Sequence, residues 1–118
     1  MHQFGAKVYG YGLKPNKVMS NFKVLNLSKH INNFFFDIRN EQKLNSCIKK
    51  IKPDIIFHLA AQPLVQESYS NPKETYEINL MGTINMLESA LKCNSVKSFV
   101  NVTSDKVYEN KEWEWGYS

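Results

Sequence analysis

Phe99-Val100-Asn101-Val102-Thr103-Ser104-Asp105-Lys106-Val107-Tyr108 runs from an apolar strand pattern straight into a hydroxyl pair, an acid and an amine. An apolar run bounded by polar residues reads as a buried parallel strand, and ligands of open α/β sheets bind just beyond the carboxyl ends of such strands. Thr103 to Lys106 fall at that end. Few folding needs explain the order hydroxyl, hydroxyl, acid, amine, so the segment marks both an architecture and a candidate site.

The pattern repeats upstream. Asp54-Ile55-Ile56-Phe57-His58-Leu59 reads as a second buried strand, and Ala60-Ala61-Gln62-Pro63 as a small-residue turn at its carboxyl end, open enough to admit a ligand. Between these strands Pro72 suits the first turn of a long helix reaching about Cys93, with Tyr76, Leu80, Thr83, Ile84, Leu87, Ala90 and Leu91 at helical spacing. Gly82 inside it costs about 1 kcal/mol relative to alanine, which predicts a close approach by a neighbouring element or a ligand. Further upstream, Phe34-Phe35-Phe36 forms a strand ended by Asp37. Asn40 then caps a helix from Glu41 to about Ile51, with Leu44, Cys47, Ile48 and Ile51 on one face and Lys52-Pro53 as its stop. Gly5 reads as a helix-ending glycine before a short strand through Tyr9-Gly10-Tyr11-Gly12, followed by a turn at Lys14-Pro15-Asn16. Ser20 caps a short helix through Leu27, although Val24, Leu25 and Leu27 would serve a strand nearly as well. Strands alternating with helices give the α/β class with a doubly wound parallel sheet and right-handed crossovers.

With 118 residues and 42% hydrophobic content, the chain has one core and one domain, residues 1–118. Its net charge of +4 is spread over lysines without a dense cluster, which argues against nucleic acid as a partner. No apolar run approaches the roughly 20 residues that span a bilayer, and Met1 to Phe4 lack the pattern of a signal peptide, so a cytoplasmic chain with no membrane partner is expected. Cys47 and Cys93 form no C-x-x-C and have no histidine pair nearby; no metal is expected, and both read as free buried thiols. Trp113 and Trp115 in the last stretch call for burial against further structure.

Four segments together carry a resemblance: His58-Leu59-Ala60-Ala61-Gln62-Pro63-Leu64-Val65 with Ser68-Tyr69, Asn79-Leu80-Met81-Gly82-Thr83, Thr103-Ser104-Asp105-Lys106, and Asn110-Lys111-Glu112-Trp113. The chain resembles the extended short-chain dehydrogenase/reductases from Phe4 to Tyr117, and within them the sugar-nucleotide 4,6-dehydratases. This implies a Rossmann-like NAD(P)-binding domain, a nucleotide-sugar substrate and a homo-oligomer for the full-length enzyme. Members open with a strand and a glycine-rich G-x-x-G-x-x-G turn and carry a Tyr-x-x-x-Lys pair on a helix after the Thr-Ser-Asp-Lys strand; neither occurs at those places here. The chain is therefore expected to be an internal fragment with an incomplete sheet, lacking the first strand and the C-terminal substrate part. By itself it should neither bind dinucleotide tightly nor turn over substrate.

The resemblance also implies roles. Asp37 and Ile38 hold the adenine ring, Leu59, Ala60 and Ala61 line the ribose and nicotinamide side, and Val102 and Thr103 complete the cofactor's wall. Ser104 steadies the sugar C4 hydroxyl, Asp105 protonates the departing C6 oxygen, and Lys106 takes the C5 proton. A lysine needs a depressed pKa for that work near neutrality. NAD is the implied cofactor, with NADP left open because no acid ends the Tyr9 to Gly12 strand and Arg39 stands near enough to reach an adenosine phosphate. His58 reads as a core histidine rather than a catalyst. Two alternatives stay open: a sugar-nucleotide epimerase, which has no need of the adjacent acid and amine, and a noncatalytic module.

Overall fold

Asn40 starts the most fully specified element of the fold, the helix α2 (Glu41–Ile51). Its Oδ1 accepts the Lys43 amide at 3.0 Å, satisfying a donor that the first helical turn leaves without a partner. Leu44, Cys47 and Ile48 are buried on one face, as their spacing predicts. Lys52 then turns left-handed at φ 51° while its amide closes on Ile48 O at 2.8 Å, and Pro53 has no N–H with which to continue.

The computed structural model describes residues 1–15 and 20–104. Asp105, Lys106, Trp113 and Trp115 lie outside the described residues, as does Asn16 of the expected turn. Four short strands, β1 (Tyr9–Gly12), β2 (Asn32–Phe35), β3 (Ile55–His58) and β4 (Ser98–Asn101), form two parallel pairs. β1 aligns Tyr11 with Phe34, and β3 aligns Ile56 with Phe99. The sequence-based strand at 34–36 starts two residues earlier, at Asn32. Before β1, Gly5 supplies a φ of 81°, beyond a single 3-10 turn at His2–Phe4.

The helices divide between the two faces. On one, α1 (Asn21–Val24) leads into a 3-10 turn at Leu27–Lys29, and Phe22 meets Phe35 edge-on with ring centres 5.7 Å apart. On the other lie α2 and α5 (Gly82–Leu91), over a core of Ile38, Leu44, Ile48, Ile56, Met86, Ala90 and Cys93 that Tyr11 and Phe99 join. Polar groups knit α2 to α5: Ser89 Oγ donates to Asn45 Oδ1 at 2.8 Å, and Lys92 pairs with Glu88 on its own helix and with Glu41 on α2. The described strands make two separate parallel pairs, β1–β2 and β3–β4, the short parallel sheets of an incomplete doubly wound fold.

Three expectations need correction. The strands are not buried on both faces: in β3, Ile56 and His58 are buried while Ile55 and Phe57 are 53% and 42% exposed, because among the described residues helices cover β3 only on the α2–α5 side. The long helix runs on from Pro72 to Leu91, but its winding is not uniform. It comprises α4 (Pro72–Tyr76), a π-helical turn (Glu77–Met81) and α5, and a separate helix α3 (Val65–Ser70) precedes it. Within the π turn, the Asn79 side chain exchanges two hydrogen bonds with the Gln62 backbone, a contact that periodicity does not reveal. Finally, the helix after Ser20 ends at Val24, since Asn26 turns left-handed at φ 49°, and the Ser20 hydroxyl makes no capping bond.

Gly82 shows why a glycine sits within this helix. A Cβ there would stand 2.7 Å from Cγ2 of Ile38, itself 6% exposed and unable to retreat. Gly82→Ala should gain about 1 kcal/mol in helix propensity and lose about 1–3 kcal/mol to overpacking. The expected outcome is a lower thermal midpoint, and Gly82→Val should lower it further; a Gly82→Ala chain more stable than the parent would refute the close-approach reading.

Candidate functional site

The carboxyl ends of β2, β3 and β4 form one rim. Asp37 to Arg39 follow β2, Leu59 to Gln62 follow β3, and Val102 to Ser104 follow β4. The Val102 amide donates to His58 O at 3.0 Å, which extends the β3–β4 ladder one step and sets Val102 beside the start of the Leu59–Ala61 turn. Leu59, Ala60, Ala61, Val102, Thr103 and Ser104 are all exposed on this rim. Five of the sequence-predicted cofactor residues thus come together with the candidate hydroxyl. Asp105 and Lys106 lie outside the described residues.

Asp37 and Ile38 divide. Ile38 is buried in the core against Gly82, whereas the Asp37 carboxylate is held by Arg39. Oδ1 accepts the Arg39 amide at 2.9 Å and Nε at 3.1 Å; Oδ2 accepts Nε at 3.1 Å and Nη2 at 2.7 Å. The Arg39 guanidinium holds this carboxyl below its ordinary value, and the carboxylate in turn raises the arginine's. Nη1 of Arg39 reaches Glu74 on α4 at 3.1 Å and Glu77 on the π turn at 3.6 Å. One cation is thereby set among three carboxylates. A carboxylate offers about four lone-pair sites, and here Arg39 uses them, so an adenine amino group would have to take over one of these bonds.

The Leu59–Gln62 turn is fixed from behind. Asn79 Oδ1 accepts the Gln62 amide at 2.7 Å and its Nδ2 donates to Gln62 O at 3.0 Å. The Gln62 side chain donates to Thr75 Oγ1 and Leu64 O and accepts the Leu64 amide. Thr83 Oγ1 donates its one proton to Asn79 O at 2.7 Å, so at 2.9 Å from His58 Nε2 it acts as the acceptor and the imidazole carries its proton on Nε2. The sequence marks Asn79 only as the start of the Asn79–Thr83 segment and does not disclose its pairing with Gln62. Its only local signal was a polar residue among apolar ones on a helix. Tyr76, one of the helically spaced residues, is 67% exposed.

Burial pushes the His58 imidazole below its ordinary value of 6.5 and keeps it neutral, which supports its reading as a core histidine. The sign follows directly. Below about pH 6.5 the unfolded chain binds a proton that the folded chain resists, so folding stability is full above that value and falls as the pH drops toward the depressed folded value. Thermal midpoints should fall between about pH 7 and pH 5, above the carboxylate range, and His58→Gln should flatten that slope. An unchanged slope in the variant would assign the acid sensitivity elsewhere.

The chain has one Tyr-x-x-x-Lys spacing, at Tyr69 and Lys73. It precedes the strand-end segment and straddles the break between α3 and α4, with Pro72 between, and the two side chains point into solvent at 84% and 91% exposure. The spacing therefore builds no helical tyrosine–lysine face. Among the described residues no group of three His, Cys, Asp or Glu side chains is placed to hold a metal ion, and no helix is long and apolar enough to cross a membrane. Cys47 and Cys93 are free and buried.

Comparison with known proteins is consistent with this geometry. The family described as GDP-mannose 4,6 dehydratase matches residues 4–113. CDP-glucose 4,6-dehydratase of Salmonella typhimurium is 46% identical over 115 residues, which is 98% of this chain and 32% of that protein. CDP-paratose 2-epimerase of Salmonella typhi is 39% identical over 85 residues, 70% of this chain and 25% of that one. Among solved structures, UDP-glucose 4-epimerase of Thermotoga maritima with UDP-glucose superposes with a TM-score of 0.69 at 27% identity, covering 84% of this chain and 30% of that chain. The Stenotrophomonas maltophila UDP-glucose-4-epimerase, with bound NAD and formylated UDP-arabinopyranose, gives 0.77 at 22% identity over 95% of this chain and 34% of its own. The chain spans about a quarter to a third of the length of these relatives.

Proposed function

The chain belongs to the family described as GDP-mannose 4,6 dehydratase, and from that premise we propose that its rim serves a redox-neutral 4,6-dehydratase of CDP-glucose that uses NAD. The observation that carries the reading is the joining of the Leu59–Ala61 turn to the Val102–Ser104 strand end through the bond from the Val102 amide to His58 O. A small-residue wall then stands beside a hydroxyl, with the acid and amine next in sequence.

The fit to a dinucleotide rests on the donor set. Leu59, Ala60, Ala61, Val102 and Thr103 offer an exposed wall of small and apolar groups, and Asp37 after β2 carries a carboxylate on which an adenine amino group would take over one of Arg39's bonds. Open α/β sheets take ligands just outside the carboxyl ends of their strands, where these residues stand. Arg39 bears on the choice between NAD and NADP. Set among Asp37, Glu74 and Glu77, and bordering a shallow hollow it shares with Glu41, it has no charge to spare for an added phosphate. That favours NAD. Leu59, Ala60, Ala61, Val102 and Thr103 would hold NAD, which when bound would supply a reversible hydride acceptor for the sugar.

Ser104 hydrogen-bonds the C4 oxygen and orients it. The resulting 4-ketone acidifies the C5 proton, which Lys106 removes while Asp105 protonates the departing C6 hydroxyl as water. Re-protonation at C5 and hydride return at C6 leave a 4-keto-6-deoxy sugar nucleotide and one water, with no net oxidation. Asp105 next to Lys106 favours this reading over the epimerase one, since epimerisation expels no water.

The test replaces the matched segment of the Salmonella typhimurium enzyme with this chain and supplies CDP-glucose. The expected product is lighter than the substrate by one water. A product of unchanged mass that is an epimer would overturn the dehydratase reading in favour of the epimerase.

A further inference from the structure

We propose that Arg39 sets how firmly an adenine base is held: it competes with the base's amino group for the Asp37 carboxylate and moves over to Glu74 and Glu77 when the base takes its place. The inference rests on the NAD reading above and adds to it a residue that tunes affinity from outside the ligand's wall.

The competition follows from which bonds at Asp37 can yield. Three of the four hydrogen bonds on its carboxylate come from the Arg39 side chain, at 3.1, 3.1 and 2.7 Å, and the fourth from the Arg39 amide at 2.9 Å. The amide stays, because the backbone of this turn is pinned by its neighbours. Asp37 O accepts the Tyr11 hydroxyl at 3.2 Å and the Asn40 amide at 3.0 Å, and the Asn85 side chain donates to Ile38 O at 3.2 Å. Ile38 itself is 6% exposed, packed against Gly82. An amino group arriving at the carboxylate therefore displaces the Arg39 side chain and leaves the turn in place.

The displaced guanidinium has a destination. Its Nη1 already stands 3.1 Å from Glu74 and 3.6 Å from Glu77, so it has only to release Nε and Nη2 and turn its planar five-donor fork toward the two glutamates. All four side chains are partly open to solvent, which leaves room for the turn. The cation keeps a partner throughout. Exposed ion pairs of this kind are worth up to about fivefold in an equilibrium, which sets the scale of the effect.

Plain attraction between charges predicts the opposite signs. NAD carries an anionic pyrophosphate, so loss of a nearby cation would weaken its binding and loss of two carboxylates would strengthen it. Competition at Asp37 reverses both. Without Arg39 the carboxylate is open to the base, and without the glutamates Arg39 stays on the carboxylate.

The experiment titrates NAD calorimetrically into the exchanged-segment Salmonella enzyme and its variants, with thermal midpoints as the check on folding. Arg39→Met should tighten NAD about two- to fivefold. Glu74→Gln with Glu77→Gln should weaken it by a similar factor, and the same pair should do nothing in the Arg39→Met background, since it acts through that side chain. The etheno-adenine analogue of NAD, whose bridged amino nitrogen carries no hydrogen, should gain nothing from Arg39→Met. Asp37→Ala tests the underlying reading: it should weaken NAD, and unchanged affinity would remove Asp37 from the adenine site and the proposal with it. Where Asp37→Ala does weaken NAD, the reading stands and the proposal is judged alone. It is overturned if Arg39→Met weakens NAD or leaves it unchanged, or if it tightens the etheno analogue equally. Should Arg39→Met fail to fold, the glutamate pair decides, and tighter NAD binding or no change in that variant overturns the competition.

Discussion

Leu44→Ala should lower the free energy of unfolding by about 2–5 kcal/mol, the range for emptying a well-packed leucine site. Leu44 is 1% exposed and sits in the single cluster on which Tyr11 of β1, Ile56 of β3 and the α2–α5 pair all converge. Domains of this size are stable by about 5–15 kcal/mol in total, so the loss removes a large share of what holds the two strand pairs to one helical layer. Urea denaturation reads it as a lower midpoint at unchanged slope. Leu44→Met, which conserves volume, should cost less than about 1.5 kcal/mol. If the alanine variant loses no more than the methionine one, the strand pairs do not depend on this cluster.

Lys106→Met and Asp105→Asn, made in the exchanged-segment Salmonella enzyme, should each lower turnover of CDP-glucose by about 10²–10⁴-fold, the usual worth of a positioned acid or base. The two failures should differ. Without the amine, exchange of the C5 hydrogen with solvent stops along with product formation. Without the acid, C5 exchange continues while loss of water slows, because proton removal does not need the departing hydroxyl to be protonated. Folding of each variant can be checked separately by its thermal midpoint against that of the parent. Variants that keep full turnover would leave the acid and amine without the proposed roles.

What the sequence disclosed depended on how local the cause was. α2 could be read almost to the residue because its cap, apolar face and stop lie within fourteen consecutive positions, Asn40 to Pro53. The rim was legible for the same reason: small and hydroxyl residues directly follow the strand patterns of β3 and β4. The half-exposure of β3 was hidden, since an unbroken run such as Ile55-Ile56-Phe57 looks the same whether one face is covered or two. The carboxylates around Arg39 were hidden too, for Glu74 lies 35 residues from it and the contact exists only once α4 is placed against the end of β2. The burial of Ile38 followed from Gly82, a pairing across 44 positions that the glycine's helical cost had announced without naming its partner.

The π turn at Glu77–Met81 acts as a phase shifter. A helical residue advances the side-chain direction by about 100°, so one surplus residue lets the two halves of this segment be aimed independently. The downstream half aims Gly82, Met86 and Ala90 at the core, while the upstream half aims Glu74 at Arg39 and Thr75 at Gln62. Removing one residue of this turn other than Ile78, which packs against the core, or Asn79, which pairs with Gln62, should restore a uniform helix and swing the upstream half about a quarter turn. Both clamps on the rim would release at once while the core contacts stayed in place. Point substitutions adjust the rim one bond at a time; a single-residue deletion here would switch it off as a unit.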